Sequence, residues 1–282
     1  TDTLRLPGAP LAARFAPDGA SLYVALAIDS LATVVAQVPR AGGGVRPSAP
    51  MAGTAADLGL ARDSRTLYVA VSGTEGGVSL MDPAALRQRR RVAVCDTPRA
   101  LVETGDGERL YLLCGDDRIA EIDPRLEIVI RVQRFAAPCD AARLALSRTE
   151  GVVFVPCRAR GLVWYLDRRT LAPFDSLAVP TGVHGIAATR DRRRVLLTLP
   201  ADARVLLADP TRRAIVASIE TPPNPTDLAV AGRVAYVLAG ATVLALDWET
   251  GMVRHRAALP GPAYSLTVWP GAREPKLVWY LP

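Results

Sequence analysis

The stretch FAPDGASLYVA at residues 15–25 decides the fold, because a related stretch returns about every 43 residues along the chain. Each copy contains a hydrophobic strand, a polar turn, a strand that carries an aromatic residue, and a third strand that ends in Asp. The aromatic position is occupied in turn by Tyr23, Tyr68, Tyr111, Phe154, Leu196, Tyr236 and Trp279. A strand-rich repeat of this length is typical of a β-propeller blade, which cannot bury both of its faces alone. The sequence therefore predicts an all-β, seven-bladed β-propeller with four-stranded antiparallel blades, forming one domain over residues 1–282.

The charge and the apolar runs of the sequence indicate which classes of partner the protein can have. The formal net charge is +6, and Lys276 is the single lysine among 34 basic residues. An arginine bias of this kind indicates a GC-rich genome rather than a nucleic-acid surface, so we predict no nucleic-acid partner. The longest uncharged apolar run, Val234–Leu246, is shorter than the roughly 20 residues of a membrane helix. It matches two strands of the sixth repeat, and we predict no transmembrane segment.

The segments FAPDGASLYVA (residues 15–25) and RTLYVA (residues 65–70) resemble the YVTN-type β-propeller repeat of YncE-like bacterial proteins. The resemblance covers nearly the whole chain, although copies four and five depart from it with FVP at 154–156 and LLT at 196–198. It implies a bacterial protein that is exported to the periplasm or the extracellular space. Members of that family bind diverse ligands, sometimes DNA. The chain begins at Thr1 without a Met, which fits a removed targeting segment or a shortened chain.

The acid at the end of the third strand recurs at Asp82, Asp123, Asp167, Asp209 and Asp247. A tight turn into the fourth strand follows each of these residues. An Asp side chain at such a place accepts hydrogen bonds from the backbone just ahead of it. The pattern therefore predicts five Asx turns with a structural role.

The two ends of the chain predict how the ring closes. Thr3–Pro10 resembles Ala257–Pro262, which leads from a fourth strand into the next blade. We therefore expect the N-terminal strand to supply the outer strand of blade seven and remove a free edge. No segment for a third strand of that blade follows Leu281. Three explanations stay open: the blade is irregular, the natural chain continues, or another chain donates the strand.

Four cysteines hold equivalent places in copies three and four. Cys95 and Cys139 precede the first strand, and Cys114 and Cys157 end the second, at separations of 19 and 18 residues. Because those two strands are antiparallel neighbours, the sequence predicts the disulfides Cys95–Cys114 and Cys139–Cys157, each worth about 2–4 kcal/mol. A four-thiolate zinc site or free buried thiols are the alternatives. The chain has no close C-x-x-C knuckle, and we predict no metal site.

The positions where the first strands begin are expected to surround one mouth of the central channel. Six polar side chains fall there and make a mixed-charge set that could hold an anionic or polar ligand: Asp57, Arg99, Arg143, His184, Asp227 and Tyr264. The alternative is a solvated funnel in which these charges merely pair. We expect the other histidine, His255, on the surface of an outer strand.

Arginines from blades four and five are expected to gather on the opposite face of the ring. They are Arg168, Arg169, Arg190, Arg192, Arg193, Arg194, Arg212 and Arg213, and Arg87, Arg89, Arg90 and Arg91 of blade two lie near the same rim. Such a basic face could dock an acidic protein or anionic lipid headgroups, or could simply be solvated.

The motifs of common catalytic sites are absent from the sequence: G-x-S-x-G, the P-loop, H-E-x-x-H and C-x-x-C-H. We therefore assign no catalytic residue and no cofactor. The leading interpretation is an exported, non-catalytic binding or scaffold subunit whose partner is another protein, within a larger, membrane-associated assembly. The alternative is an enzyme or cofactor carrier, lactonase-like or d1-haem-like by analogy of fold, that uses the mouth around His184.

Overall fold

The structure is a computed structural model, and it describes residues 6–147, 151–189, 193–263, 265–269 and 276–279. All regular structure in these ranges is β-strand, and the strands pair in antiparallel fashion into seven successive sheets. The described part of the chain has no helix that could span a membrane. The pattern of short strands separated by polar turns is the one expected from the repeat.

The first sheet contains β1 (Ala9–Phe15), β2 (Ser21–Ala27), β3 (Ala32–Pro39), β4 (Arg46–Pro47) and β5 (Met51–Ala52). The second contains β6 (Ala55–Leu60), β7 (Leu67–Val71), β8 (Gly77–Asp82) and β9 (Arg87–Ala93). The third contains β10 (Pro98–Glu103), β11 (Leu110–Cys114), β12 (Arg118–Asp123) and β13 (Ile128–Arg134). The fourth contains β14 (Ala145–Leu146), β15 (Val152–Cys157), β16 (Leu162–Asp167) and β17 (Pro173–Ala178).

The fifth sheet contains β18 (Ile186–Ala188), β19 (Val195–Leu199), β20 (Arg204–Asp209) and β21 (Ala214–Glu220). The sixth contains β22 (Pro225–Ala231), β23 (Val234–Ala239), β24 (Thr242–Asp247) and β25 (Val253–Ala258). The seventh contains β26 (Leu266–Trp269) and β27 (Lys276–Trp279). In each sheet the strands lie side by side in chain order, except that β4 and β5 both pair with β3.

The first strands of the sheets surround a central channel. β1 packs against β6 and β6 against β10, and further round the ring β14 packs against β18, β18 against β22 and β22 against β26. β26 also packs against β1, so the first and seventh sheets meet in the ring. Residues from the first-strand regions of all seven sheets line the channel. The β-propeller class predicted from the repeat is confirmed.

The predicted blade composition needs correction. Within the described ranges, six sheets have four or five strands, and the seventh repeat forms the two-stranded sheet of β26 and β27. The ring thus has six complete blades rather than seven. Of the expected closing strand, residues 1–5 lie outside the described residues, and Ala9 and Pro10 belong to β1, the inner strand of blade one, where β2 pairs with them.

The aromatic position of the repeat lies at the contact between blades. Six apolar clusters each join one blade to the next, and each contains the residue at this position: Tyr23, Tyr68, Tyr111, Phe154, Leu196 and Tyr236. The hydroxyl of Tyr111 donates to the carbonyl of Arg168 at 3.2 Å, and that of Tyr23 lies 3.4 Å from the carbonyl of Pro83. A large ring with a polar end both fills the gap between sheets and bonds the next blade. This explains why five of those six residues are aromatic.

The five Asp residues that end the third strands make the expected turns. In each case one carboxylate oxygen accepts hydrogen bonds from the amides two and three residues ahead, at 2.8–3.1 Å. These bonds lower the pKa of Asp82 and Asp209, with the turn amides as the main cause. The structural interpretation of these acids is therefore confirmed.

Both predicted disulfides are present. Cys95 is bonded to Cys114 and Cys139 to Cys157, with Cα atoms 6.3 and 4.4 Å apart. Each bond joins the segment before an inner strand to the end of the second strand of the same blade. The zinc-site and free-thiol alternatives are thereby excluded. Two disulfides indicate an oxidising environment.

Candidate functional site

The channel has two different ends. Inner strands begin at the end called here the mouth face, which also carries the loops between second and third strands. The other end, the turn face, carries the first-to-second and third-to-fourth turns. The channel has a volume of about 360 Å³. Its wall includes Asp57, Arg143 and Asp227 of the predicted mouth set, together with small side chains such as Ala12 and Ala100.

Asp57 joins the inner strands of three blades. Its side chain accepts a hydrogen bond from the amide of Leu58 at 2.8 Å and another from the amide of Leu101, in blade three, at 3.0 Å. The guanidinium of Arg14, in blade one, lies 3.3 Å from the same carboxylate. Asp57 is 8% exposed. Its oxygens are thus used to hold blades together.

Asp227 repeats this arrangement in blade six. Its carboxylate accepts from the amide of Leu228 at 2.9 Å, and from the hydroxyl of Ser265 at 2.6 Å and the amide of Leu266 at 3.0 Å in the next sheet. The equivalent positions of Asp57 and Asp227 in the repeat explain the common geometry. Both carboxylates act as links between neighbouring inner strands.

Arg99 occupies a bulge at the mouth. The pairing of β10 with β11 shifts between Pro98 and Ala100, so Arg99 is an extra residue whose side chain is redirected. Its guanidinium pairs with Asp140 at 3.0 Å, and Arg158 pairs with the other oxygen of Asp140 at 3.2 Å. Arg99 is therefore part of a surface ion pair between blades three and four.

His184 lies between blades five and six. Its Nδ1 is 2.9 Å from the carbonyl oxygen of Thr226, so Nδ1 carries the proton, and no described residue bonds Nε2. Burial lowers the pKa of His184, and the positive charges of Arg143 and Arg158 lower it further. The ring is therefore neutral near pH 7, with Nε2 as an acceptor. Such a nitrogen can take a proton or bind a metal.

The remaining mouth residues complete the set. Arg143 lines the channel, and its Nη1 donates to the carbonyl of Ala142 at 3.2 Å. Tyr264 lies outside the described residues. In the ranges that the structure describes, no group of three or more His, Cys, Asp or Glu side chains is arranged to hold a metal ion.

The predicted basic face is interspersed with acids. Arg168 pairs with Asp106 at 3.2 Å, Arg194 and Arg212 each lie 3.8 Å from Asp209, and Arg213 pairs with Asp175. The amide of Arg169 donates to Asp167 in a turn, and the carbonyl of Arg193 accepts from Arg194. Arg190 and Arg192 lie outside the described residues. The positive charge of this face is partly neutralised by these pairs.

Two features of the surface were not predicted. The outer strand β13 exposes Ile128, Ile130 and Val132 to solvent. A groove of about 430 Å³ lies between blades two and three on the turn face, with Tyr68 and Glu103 among its lining residues. The alternating apolar residues of IVIRVQR at 128–134 were a signal for the first feature. The second depends on contacts between residues 41 positions apart, such as the bond from the amide of Arg62 to the carboxylate of Glu103, which no local pattern connects.

Comparison with known proteins identifies the fold and leaves the family open. No protein-family model matches the sequence, and no curated protein matches it. Among solved structures, a chain of Kuenenia stuttgartiensis Hydrazine Synthase is similar, with a TM-score of 0.84 and 15% identity. The match covers 99% of this chain and 97% of that chain. At this identity the likeness concerns the fold alone.

Proposed function

We propose that this protein is an exported, non-catalytic binding subunit that docks another protein on the outer wall of blade three. The observation that carries the proposal is the exposure of β13, where Ile128, Ile130 and Val132 are 46%, 40% and 44% exposed. Leu126, in the turn just before the strand, is 65% exposed. A row of apolar side chains on an outer strand supports pairing with an extended segment of another chain.

Two of the other outer strands, β9 and β25, are protected by charge. β9 of blade two exposes four consecutive polar residues, Arg87–Arg90, and β25 of blade six exposes Arg254, His255 and Arg256. Charged side chains on an edge strand usually prevent unwanted pairing. Four of the ten large hydrophobic residues that are exposed in the described part of the chain lie in residues 126–132. Blade three thus exposes more of these described residues than any other blade.

The charges around β13 favour an acidic partner. Arg131 and Arg134 lie on the strand itself, and Arg90 lies on β9 of the neighbouring blade. The chain as a whole has a net charge of +6, which opposes pairing with a second copy of itself. We therefore infer an extended partner segment with apolar and acidic side chains.

The residues at the channel mouth support a binding role more than a catalytic one. Two of its carboxylates, those of Asp57 and Asp227, are engaged by backbone amides of neighbouring blades. His184 favours a second candidate, a cofactor carrier or enzyme, because its ring is neutral and presents Nε2 as an acceptor. An absorption band of the purified protein that is lost in His184→Ala would support that candidate. A colourless protein whose ligand binding is unchanged by the substitution would oppose it.

Export of the protein and its membership of the YVTN-type repeat family are also parts of this proposal. The two disulfides support export to the periplasm or the extracellular space. The resemblance to the YVTN-type repeat stays a prediction, as does the place of the protein in a membrane-associated assembly. Osmotic-shock fractionation of the native bacterium, followed by immunoblotting, tests the compartment. Retention of the protein in the cytoplasm would contradict export.

The docking proposal is tested by a matched pair of double variants. Ile130→Glu with Val132→Glu places charge on blade three, and Ile215→Glu with Val216→Glu places it on residues of blade five that are 41% and 42% exposed. The tagged full chain is captured from its native bacterium, and every co-purifying protein is identified, purified and titrated back. We expect a partner that binds the blade three variant at least tenfold more weakly and the blade five variant normally.

The outcome can separate two docking surfaces. Charge reversal of Arg212 and Arg213 perturbs the basic face and leaves β13 intact. Partners that are lost only with that variant would assign docking to the basic face. Partners that bind the blade three variant as well as the unchanged protein would contradict the proposal.

A further inference from the structure

The groove between blades two and three opens on the turn face, beside the start of β13. Its floor contains Tyr68 and Glu103, and its volume is about 430 Å³. Four arginines line it: Arg62, Arg65, Arg89 and Arg125. The fold and the proposed docking strand do not themselves require this concentration of guanidinium groups.

The acids of the groove already have partners. Glu103 accepts from the hydroxyl of Tyr68 and from the amide of Arg62, both at 3.0 Å. Asp63 accepts from the amide of Arg65 at 2.9 Å. The other two lining acids bond outside the groove, Asp106 with Arg168 at 3.2 Å and Glu127 with Arg90 at 3.8 Å.

The arginines of the groove retain donors. Among the described residues, none of the four has a carboxylate oxygen within 4.0 Å of its guanidinium. Arg89 donates to the hydroxyl of Thr66 at 2.7 Å, and Arg62 donates to the carbonyl of Gly105. A guanidinium has five N–H donors in a planar fork that matches a carboxylate. The groove therefore combines engaged acids with guanidinium groups that can accept an additional anion.

The groove is continuous with the proposed docking strand. Arg125 and Glu127 line the groove, Leu126 lies between them in the sequence, and Ile128 begins β13. A segment that pairs with β13 and continues toward the turn face would therefore reach the groove. The groove and the strand can be occupied by one partner.

We propose that the groove receives the carboxylate of an Asp or Glu side chain from the protein segment that docks on β13. This inference rests on the proposed function and adds the chemistry that selects the partner. A carboxylate bound by paired guanidinium forks gains charge-assisted hydrogen bonds, and it directs the apolar residues beside it onto Ile128 and Ile130.

A peptide library displayed on phage tests this without a known partner. Random 12-residue peptides are selected on the immobilised full chain, and those selected are synthesised and titrated by calorimetry. We expect peptides that combine Asp or Glu with Val, Ile or Leu, and whose affinity falls at least tenfold on Arg65→Glu with Arg125→Glu. Arg256→Glu, an exposed arginine of blade six, is the matched control and should change nothing.

The possible results are distinguishable. Peptides that depend on Ile130 and Val132 but bind the groove variant normally would overturn this inference and leave the docking proposal intact. Peptides whose affinity is unchanged by the groove variant and by the β13 variant would overturn both this inference and the docking proposal. A selection that yields no peptide bound to this surface would do the same. Groove-dependent binding to phosphatidylserine vesicles in place of acidic peptides would assign the arginines to lipid and also overturn the inference.

Discussion

Asp57→Ala tests how the inner strands of this ring are held together. The substitution removes the acceptor for two buried amides, those of Leu58 and Leu101, which lie 2.8 and 3.0 Å from the carboxylate. A buried donor that loses its acceptor costs about 1–3 kcal/mol. The partner Arg14 is 41% exposed and contributes little, because solvent screens its charge. We therefore expect the free energy of unfolding to fall by about 2–4 kcal/mol.

The assay is guanidinium unfolding followed by circular dichroism, with both disulfides intact. Asp63→Ala is the matched control, since that exposed Asp accepts one amide bond in a turn, and we expect it to cost under about 1 kcal/mol. Asp227→Ala should resemble Asp57→Ala, and the two losses should add, because the residues lie in blades two and six. A loss for Asp57→Ala no larger than that of the control would refute the role of this carboxylate as a link between blades.

Three further measurements follow from the structure. Replacing Cys139 and Cys157 together by Ser should lower the free energy of unfolding by about 3 kcal/mol, since the bond spans 18 residues; an unchanged denaturation midpoint would contradict this. A hydrogen bond from Arg254 lowers the pKa of Asp247 to about 2, so the ionised carboxylate stabilises the fold fully above the ordinary pKa of an Asp, and this stabilisation is lost as pH falls toward 2. The melting temperature of Asp247→Asn should therefore fall less in acid than that of the unchanged protein. Burial raises the pKa of Glu103, so the stability that its protonated form contributes is fully present below the ordinary pKa of a Glu and is lost as pH rises through the raised pKa. Glu103→Gln should therefore make the melting temperature depend less on pH above pH 4.5. A pH profile identical to that of the unchanged protein would contradict a raised pKa.

The features that could be read from the sequence are those written within one repeat. The spacing of Tyr23, Tyr68 and Tyr111 predicted the blades, and the Asp at the end of each third strand predicted its turn. The disulfides followed from antiparallel neighbours within a blade. In the turns and the disulfides the partners are close in sequence, and in the blades one local pattern is repeated, so a local pattern is sufficient.

The features that could not be predicted from the sequence depend mainly on contacts between blades. Asp57 was predicted as a possible ligand-binding group, but its acceptor role depends on the amide of Leu101, which lies 44 residues away. The partner of Arg213 on the predicted basic face is likewise an acid of another blade, Asp175, which the sequence alone does not bring near it. Within the part of the chain that the structure describes, the strand count of the last sheet also departs from the repeat, because a periodic pattern does not specify how its final copy is completed.

The position of the two disulfides has a consequence for the order in which the chain assembles. Each one closes over 19 or 18 residues, within a single hairpin, and needs no other part of the molecule to be in place. Oxidation can therefore fix the middle of the polypeptide before its later repeats have found their neighbours. In a chain that enters an oxidising compartment, two disulfide-bonded hairpins would then form first, and the remaining segments would pack against them.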